Sequence, residues 1–143
     1  MDYHLAIKAA FASEFSFYLK AHNFHWNVEG IHFAELHELF QIIYEEVLAS
    51  IDPFAEKIRA MDLYTPASFH RFSMLTLIED EDVWLPAEAM VAELLSDSEK
   101  MAELFRVTFD MAEAHGHHGL SNFLADRQDA HKKHSWMLRA TLR

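Results

Sequence analysis

Residues 25–58 read HWNVEGIHFAELHELFQIIYEEVLASIDPFAEKI, and this stretch predicts the junction of two long helices. Its segment NVEG at 27–30 contains Asn27 and Gly30, which are suited to ending a helix and turning the chain. After the turn, apolar residues recur every three or four positions, as on one face of a helix: Leu36, Phe40, Ile43, Val47, Ile51, Phe54 and Ile58. We therefore predict a helix from about 33 to 61. It should lie antiparallel to the helix before it, because the connection is short.

The rest of the chain is predicted to be helical as well. Its 143 residues include 3 Gly and 3 Pro, too few for the frequent turns of sandwiches and barrels. Apolar spacing predicts helix one over 3–26, helix three over about 84–114 and helix four over about 120–142. The crossover at 62–83 should contain a short helix near 67–76. This pattern is an all-α, ferritin-like four-helix bundle, and the length fits a single domain over 1–143.

Two positions should disturb the long helices. Pro53 removes a backbone hydrogen bond inside helix two and should bend it, either to aim the neighbouring Asp52 or as a tolerated kink. The sequence SDSE at 96–99 can cap a restarted helix, which predicts a kink near Asp97.

Charge and composition exclude several functions. The net charge is −11 and the 12 Lys and Arg are scattered, so most of the surface should repel nucleic acid. An acidic surface attracts cations. The alternative interpretation is that the charge serves only to keep the protein soluble. Because the chain has no Cys, any metal must be held by His, Asp and Glu. No signal peptide or membrane-spanning apolar run is recognisable, which predicts a cytoplasmic protein.

Helix two also carries ligand-type side chains on a second face. Positions spaced by three or four place these residues in one stripe: His37, Gln41, Glu45, Leu48, Asp52 and Glu56. Asp52 and Glu56 are one turn apart and can reach a common point, although such pairs also occur on ordinary solvated helices. Oxygen and imidazole ligands suit Fe(II), Mn or Zn. His37, however, is about 22 Å from Asp52 along a helix, so both cannot bind one ion within one chain.

A second copy of the chain removes this obstacle. If helix two packs antiparallel against its own copy about a two-fold axis near Tyr44 and Glu45, His37 of one chain lies opposite Asp52 of the other. His25, at the end of helix one, joins the same cluster across the turn. The predicted site therefore takes His25 and His37 from one subunit, and Asp52 and Glu56 from its partner.

A di-iron centre inside one bundle is the alternative location. It needs two Glu-x-x-His pairs on facing helices. The sequence holds one such pair, Glu29 and His32, and it falls on the turn, so a centre of this kind is not supported.

The run at 25–58, with His-Trp, Leu-His and Asp-x-x-Ala-Glu, resembles the Dps family of mini-ferritins, the DNA-binding proteins from starved cells. LADRQDAHKKHSWMLRATL at 124–142 is similar to the last helix of that family. The resemblance implies a hollow dodecamer with iron-oxidising sites at two-fold interfaces. It implies ligands at His25, His37, Asp52 and Glu56, with Trp26 beside them. The implied reaction is oxidation of Fe(II), usually by hydrogen peroxide and otherwise by O2, followed by storage of ferric mineral; zinc is a competitor for the site.

Several neighbouring residues keep two interpretations. Gln41 stands where many Dps proteins have an acidic residue that helps to hold the second metal. His22, one turn before His25, is either a further metal ligand or an ordinary surface or interface histidine. Trp26 is either an interface anchor or a scavenger of oxidising equivalents. His32 is expected to serve the turn.

The turn HGHHG at 115–119 corresponds in Dps proteins to the neighbourhood of a three-fold pore. His115, His117 and His118 either bind metal in transit or form a polar loop, and the pore candidates that follow are Asn122, Asp126 and Asp129. Since the sequence has no basic tail, we expect no appreciable DNA binding. The competing functions are a non-catalytic DNA-protecting protein and a zinc-binding helical assembly.

Overall fold

A computed structural model describes residues 2–143, and every regular element in that range is a helix. The helices are α1 (Tyr3–Asn27), α2 (Phe33–Ala60), α3 (Phe69–Leu75), α4 (Ala87–Ala114) and α5 (His118–Leu142). Side chains cap two of them: Asp2 accepts from the Leu5 amide and Ser68 from the Arg71 amide. The predicted bundle of four long helices with a short crossover helix is confirmed. Residue 1, which the predicted domain includes, lies outside the described residues.

The four long helices close around an aromatic core. α1 packs against α2 and α4, α4 packs against α5, and α5 meets α2, while α3 lies against α1. The largest fully buried side chains include Phe17, Phe24, Phe40, Phe54 and Phe105. Burial of this apolar surface supplies the main driving force for folding. Among the described residues, no helix is both long enough and apolar enough to cross a membrane.

Three predicted features of the later helices are wrong in detail. Helix three begins at Ala87 instead of Trp84, because Pro86 keeps the preceding chain extended and the Trp84 indole donates to the Asn27 carbonyl. Helix four begins at His118, two residues earlier than predicted. The helix does not restart near Asp97: α4 runs without interruption from 87 to 114.

The SDSE side chains make tertiary contacts in place of a cap. The Asp97 carboxylate lies 2.7 Å from Lys20 Nζ, and the Ser98 hydroxyl donates to the backbone carbonyl of His131. Both residues are buried, so their polar atoms hold α1, α4 and α5 together. In α2, Pro53 lies inside a helix that continues to Ala60, as predicted.

Candidate metal centre

The turn between α1 and α2 stacks two predicted ligands on each other. The rings of His25 and His37 lie with centroids 3.7 Å apart and planes 16° from parallel. Nδ1 of each ring is 2.7 Å from the backbone carbonyl oxygen of the other residue. Because a carbonyl can only accept, each Nδ1 must carry the proton and donate it. In the neutral rings, both Nε2 atoms are then left with a free lone pair, which is the form that binds a metal.

The local sequence explains this arrangement. Gly30 has φ of +123°, a conformation that L side chains rarely adopt, so glycine permits the reversal of the chain here. Val28 is buried at the end of α1, and Leu36 and Phe40 anchor the start of α2 in the core. These contacts hold the last turn of α1 against the first turns of α2. The His25 side chain is 8% exposed, and its ring is held by the stack on His37 and by its hydrogen bond to the His37 carbonyl.

The two predicted carboxylates also form a pair. Asp52 and Glu56 are exposed on α2, one turn apart. A hydrogen bond with Asp52, together with repulsion between the two groups, raises the pKa of Glu56. Because they lie one turn apart on the same helix face, the two carboxylates can reach a common cation.

The imidazole pair and the carboxylate pair lie on different parts of the chain. They are separated by about 22 Å along α2. Within residues 2–143, no three His, Asp or Glu side chains of one subunit are grouped to hold a metal ion. The predicted ligands thus lie in two separate pairs, and within the described residues of one chain neither pair is part of a group of three.

Gln41 lies between the two halves on α2. Its Nε2 atom donates to Glu45 Oε1 at 2.8 Å. This amide contributes no negative charge. Position 41 therefore attracts a second cation less strongly than a carboxylate at the same position would.

Beside the histidine pair, the ring of His22 lies between two other aromatic rings. It stacks on Tyr44 at 3.8 Å and 9°, and on Trp26 at 3.7 Å and 27°. Its Nδ1 atom is 2.9 Å from the Tyr18 hydroxyl oxygen. Burial, followed by the proximity of His25, lowers the pKa of His22, and burial raises the pKa of Tyr18. A ligand role for His22 requires Nδ1 to donate to Tyr18 so that Nε2 is free.

The histidines of the two turns have separate environments. His32 is exposed and lies 3.7 Å from Glu35. At the other turn, His115 Nδ1 donates to the Met111 carbonyl and its ring stacks on Tyr3, whose hydroxyl is 2.7 Å from His117 Nδ1.

Gly116, with φ of +73°, permits the turn between α4 and α5, and the His115 and His117 contacts with Tyr3 tie that turn to the start of α1. His118 Nδ1 is 3.5 Å from Glu113. The three pore candidates are exposed on the first turns of α5: Asn122, Asp126 and Asp129.

The sequence interpretation missed a buried ionic network in the bundle interior. Arg127 donates to Glu14 at 2.8 Å and to Glu46 at 2.5 and 3.0 Å. His131 Nε2 is 2.6 Å from Glu14, and His134 Nε2 is 2.7 Å from Glu46. Burial alone would raise the pKa of Glu46, but its hydrogen bonds to His134 and Arg127 lower it to about 2.

This network fills the part of the bundle where an internal metal centre would need free carboxylates. Glu14 and His131 are fully buried and already paired, and a guanidinium neutralises the acids. The sequence signal was the spacing of Arg127, His131 and His134 on α5, which puts polar groups on its inner face. His131 is fully buried on this face as a hydrogen-bonded polar group.

Comparison with known proteins agrees with the fold. The ferritin-like domain model matches residues 5–143. A Bacillus anthracis protein named DNA protection during starvation protein 2 is 33% identical over 125 residues, which are 87% of this chain and 86% of the relative. The chain therefore belongs to the ferritin-like family and, within it, to the Dps proteins.

Solved structures place the similarity across the whole bundle. The crystal structure of a Dps protein from Bacillus brevis has a TM-score of 0.94 at 28% identity, covering 99% of this chain and 95% of that one. A Dps protein from Vibrio cholerae O1, described as a member of a broad superfamily of ferritin-like diiron-carboxylate proteins, has a TM-score of 0.93 at 26% identity. It covers 99% of this chain and 89% of that one.

Proposed function

We propose that this protein is a ferroxidase and iron-storage mini-ferritin. It oxidises Fe(II) with hydrogen peroxide or O2 at sites shared by two subunits, and it stores the ferric product inside a hollow dodecamer. The observation that carries this proposal is the reciprocal pair of bonds from His25 Nδ1 and His37 Nδ1 to each other's backbone carbonyls. These bonds fix both rings with Nε2 available to a metal, at low conformational cost.

The second half of the site supplies charge. Asp52 and Glu56 of the partner subunit would neutralise most of the charge of Fe(II), and carboxylate oxygens suit this ion. In a two-fold dimer built on α2, each interface would have two equivalent sites. His22 remains predicted as an additional ligand and Trp26 as a neighbour of the site.

The electron count explains why the reaction protects the cell. Hydrogen peroxide accepts two electrons on its way to water, and each Fe(II) supplies one. Two irons oxidised together therefore reduce peroxide completely, without releasing hydroxyl radical. The protein contributes position and electrostatics, since its imidazoles and carboxylates hold the ions while leaving open coordination positions for the oxidant.

The reaction can be tested with the assembled protein. Anaerobic Fe(II) is mixed with the protein, peroxide or O2 is added, and ferric absorbance is followed. We expect growth well above the buffer rate in the wild type and strong loss in Asp52→Ala/Glu56→Ala. The matched control is Glu99→Ala/Glu103→Ala, which removes two exposed carboxylates one turn apart on α4 and should leave the rate unchanged. Equal rates in wild type and buffer would disprove the proposal.

A mixing experiment tests whether the sites are shared between subunits. Chains carrying His25→Ala/His37→Ala are assembled with chains carrying Asp52→Ala/Glu56→Ala. Each mixed dimer then regains one intact site of two, and random pairing makes half the dimers mixed. We therefore expect about one quarter of the wild-type sites to recover, although each variant alone is inactive. No recovery in assemblies shown to be mixed would refute shared sites.

The names of the relatives raise DNA protection as a second candidate. We predict no appreciable binding, since a net charge of −11 should repel the phosphate backbone. Gel retardation at low salt tests this, and a clear shift at modest protein concentration would overturn it. The zinc-binding alternative predicts stoichiometric zinc uptake without any iron turnover; under our proposal zinc competes and slows iron oxidation.

A further inference from the structure

The buried network in the bundle interior has the composition of a metal site. Its members are two carboxylates and two imidazoles from three helices: Glu14 on α1, Glu46 on α2, and His131 and His134 on α5. Oxygen and imidazole ligands of this kind suit Fe(II), Mn or Zn. The aromatic core fixes the three helices, so the four side chains are in place before any ion binds.

A guanidinium lies between the two carboxylates. Arg127 Nε donates to Glu14 at 2.8 Å, and the two terminal nitrogens of Arg127 donate to Glu46 at 2.5 and 3.0 Å. The Arg127 side chain is only 6% exposed. Burial alone would lower the pKa of Arg127, but Glu14 and Glu46 raise it, so the group stays charged. A fixed cation therefore lies inside the set of potential ligands.

The two imidazoles are engaged as well. His131 Nε2 lies 2.6 Å from Glu14 Oε1, and His134 Nε2 lies 2.7 Å from Glu46 Oε1. Because an ionised carboxylate only accepts, each Nε2 carries a proton and has no lone pair for a metal. Within residues 2–143, no three His, Asp or Glu side chains accordingly surround a common point. In the presence of Arg127, the four groups do not fit an internal metal centre.

We propose that Arg127 takes the place of a metal ion in this network and thereby confines Fe(II) to the sites between subunits. This inference rests on the proposed function. Glu14 and Glu46 bring two negative charges into the bundle, and buried charges of one sign need a cation beside them. The guanidinium supplies that cation as part of the chain, so the interior needs no metal and admits none.

Exclusion of iron from the interior protects the core. The His131 ring lies edge-on to Phe17 with centroids 4.8 Å apart, and it stacks on Phe105 at 5.7 Å. Both phenylalanines are fully buried. Fe(II) held by this histidine would react with peroxide among the aromatic rings of the core. A guanidinium does not reduce peroxide, so the oxidant meets iron only at the interface.

Removal of the guanidinium should turn the network into a metal site. Arg127→Ala leaves the two carboxylates without a counter-charge and empties the volume between them. An entering divalent ion restores the charge, and each imidazole binds it through Nε2 once the ring proton has moved to Nδ1. Nδ1 of His131 and of His134 is buried without a hydrogen-bond partner among residues 2–143, so this move breaks no existing bond at Nδ1.

Co(II) binding to the assembled protein tests the exchange. Every protein in the test carries Asp52→Ala/Glu56→Ala, which removes the carboxylates of the proposed interface site. After treatment with EDTA, each protein is titrated with Co(II), and the visible absorption of the bound ion is recorded. We expect Arg127→Ala to bind one more Co(II) per subunit than its parent and to lose this ion when Glu46→Gln is added. Co(II) should also raise the Tm of Arg127→Ala more than that of the parent.

Two control variants separate the role of the buried charge from a general effect of losing an arginine. Arg127→Lys keeps a cation in the network and should bind no additional Co(II). Arg106→Ala removes a guanidinium that also bonds two carboxylates, but the Arg106 side chain is 48% exposed. It should bind no additional Co(II) either. An additional ion in either control would overturn the proposal.

The remaining outcomes are also decisive. Assembly of Arg127→Ala only in the presence of Co(II) would support the proposal, since the ion then supplies the missing charge. Assembled Arg127→Ala without additional Co(II), or failure to assemble even with Co(II), would overturn it. Loss of Co(II) from the parent on Glu46→Gln would overturn it as well, because the interior would then bind metal beside Arg127. Absence of ferric absorbance in the wild type would instead disprove the ferroxidase function.

Discussion

Replacing Arg127 by methionine tests how far the buried ionic network stabilises the bundle. The guanidinium makes three hydrogen bonds of 2.5 to 3.0 Å to Glu14 and Glu46, and Glu14 is fully buried. Removing one partner of a buried ion pair costs about 3–5 kcal/mol, because the remaining charge is left uncompensated. For a chain of this length, each kcal/mol lowers Tm by roughly 2–4 °C. We therefore expect Tm to fall by roughly 10 °C.

The matched control is Arg106→Met. Arg106 also bonds two carboxylates, Glu103 at 2.8 Å and Asp110 at 3.0 Å, but its side chain is 48% exposed. Exposed pairs contribute at most about 1 kcal/mol. Thermal unfolding followed by circular dichroism should be compared at one protein concentration, since assembly makes Tm concentration-dependent. A second change, Glu14→Gln in the Arg127→Met background, should recover part of the loss. Equal Tm values for Arg127→Met and Arg106→Met would refute the reasoning.

Three further predictions concern stability. The pKa of Glu46 falls from about 4.5 to about 2 on folding. The stabilisation that the ionised Glu46 provides is therefore present above pH 4.5 and is lost as the pH falls towards 2. Over that pH range, the denaturation midpoints of the wild type and of Glu46→Gln should converge. Phe54→Ala should cost about 3–5 kcal/mol in guanidinium unfolding, since this fully buried ring leaves a cavity, and a cost below about 1 kcal/mol would contradict the packing. Gly116 has a positive φ, so Gly116→Ala should lower the free energy of unfolding by about 1 kcal/mol. The control Gly119→Ala lies inside α5 and should be neutral or stabilising. Equal effects of the two substitutions would exclude backbone strain as the cause.

The helices were predictable because their apolar spacing repeats over many turns. The bounds of helix two were predicted to within one residue, since a turn precedes it and its stripe continues past Pro53 in phase. The start of helix three was missed because Trp84 is apolar but contacts α1 from an extended segment before Pro86. The predicted helix restart near Asp97 was wrong, because the Asp97 carboxylate forms a tertiary ion pair with Lys20 and does not cap a new helix.

The ligand pairs on α2 were also predictable, because residues one turn apart on a helix must lie on one face. The partner residues in the bundle interior were not. Arg127 lies 113 positions from Glu14 and 81 from Glu46, and local periodicity carries no information at such separations. In sequence these groups appear as scattered charges.

By itself, the sequence determined the all-helical architecture and the 15-residue spacing that separates His37 from Asp52. Those properties depend on the periodicity of one helix and on its rise per residue. Only the tertiary structure decided that His25 and His37 stack and exchange bonds with each other's backbone, and that Tyr18 faces His22 beside them. The tautomer of an imidazole depends on which atom faces each nitrogen, and that is settled only when the two helices pack.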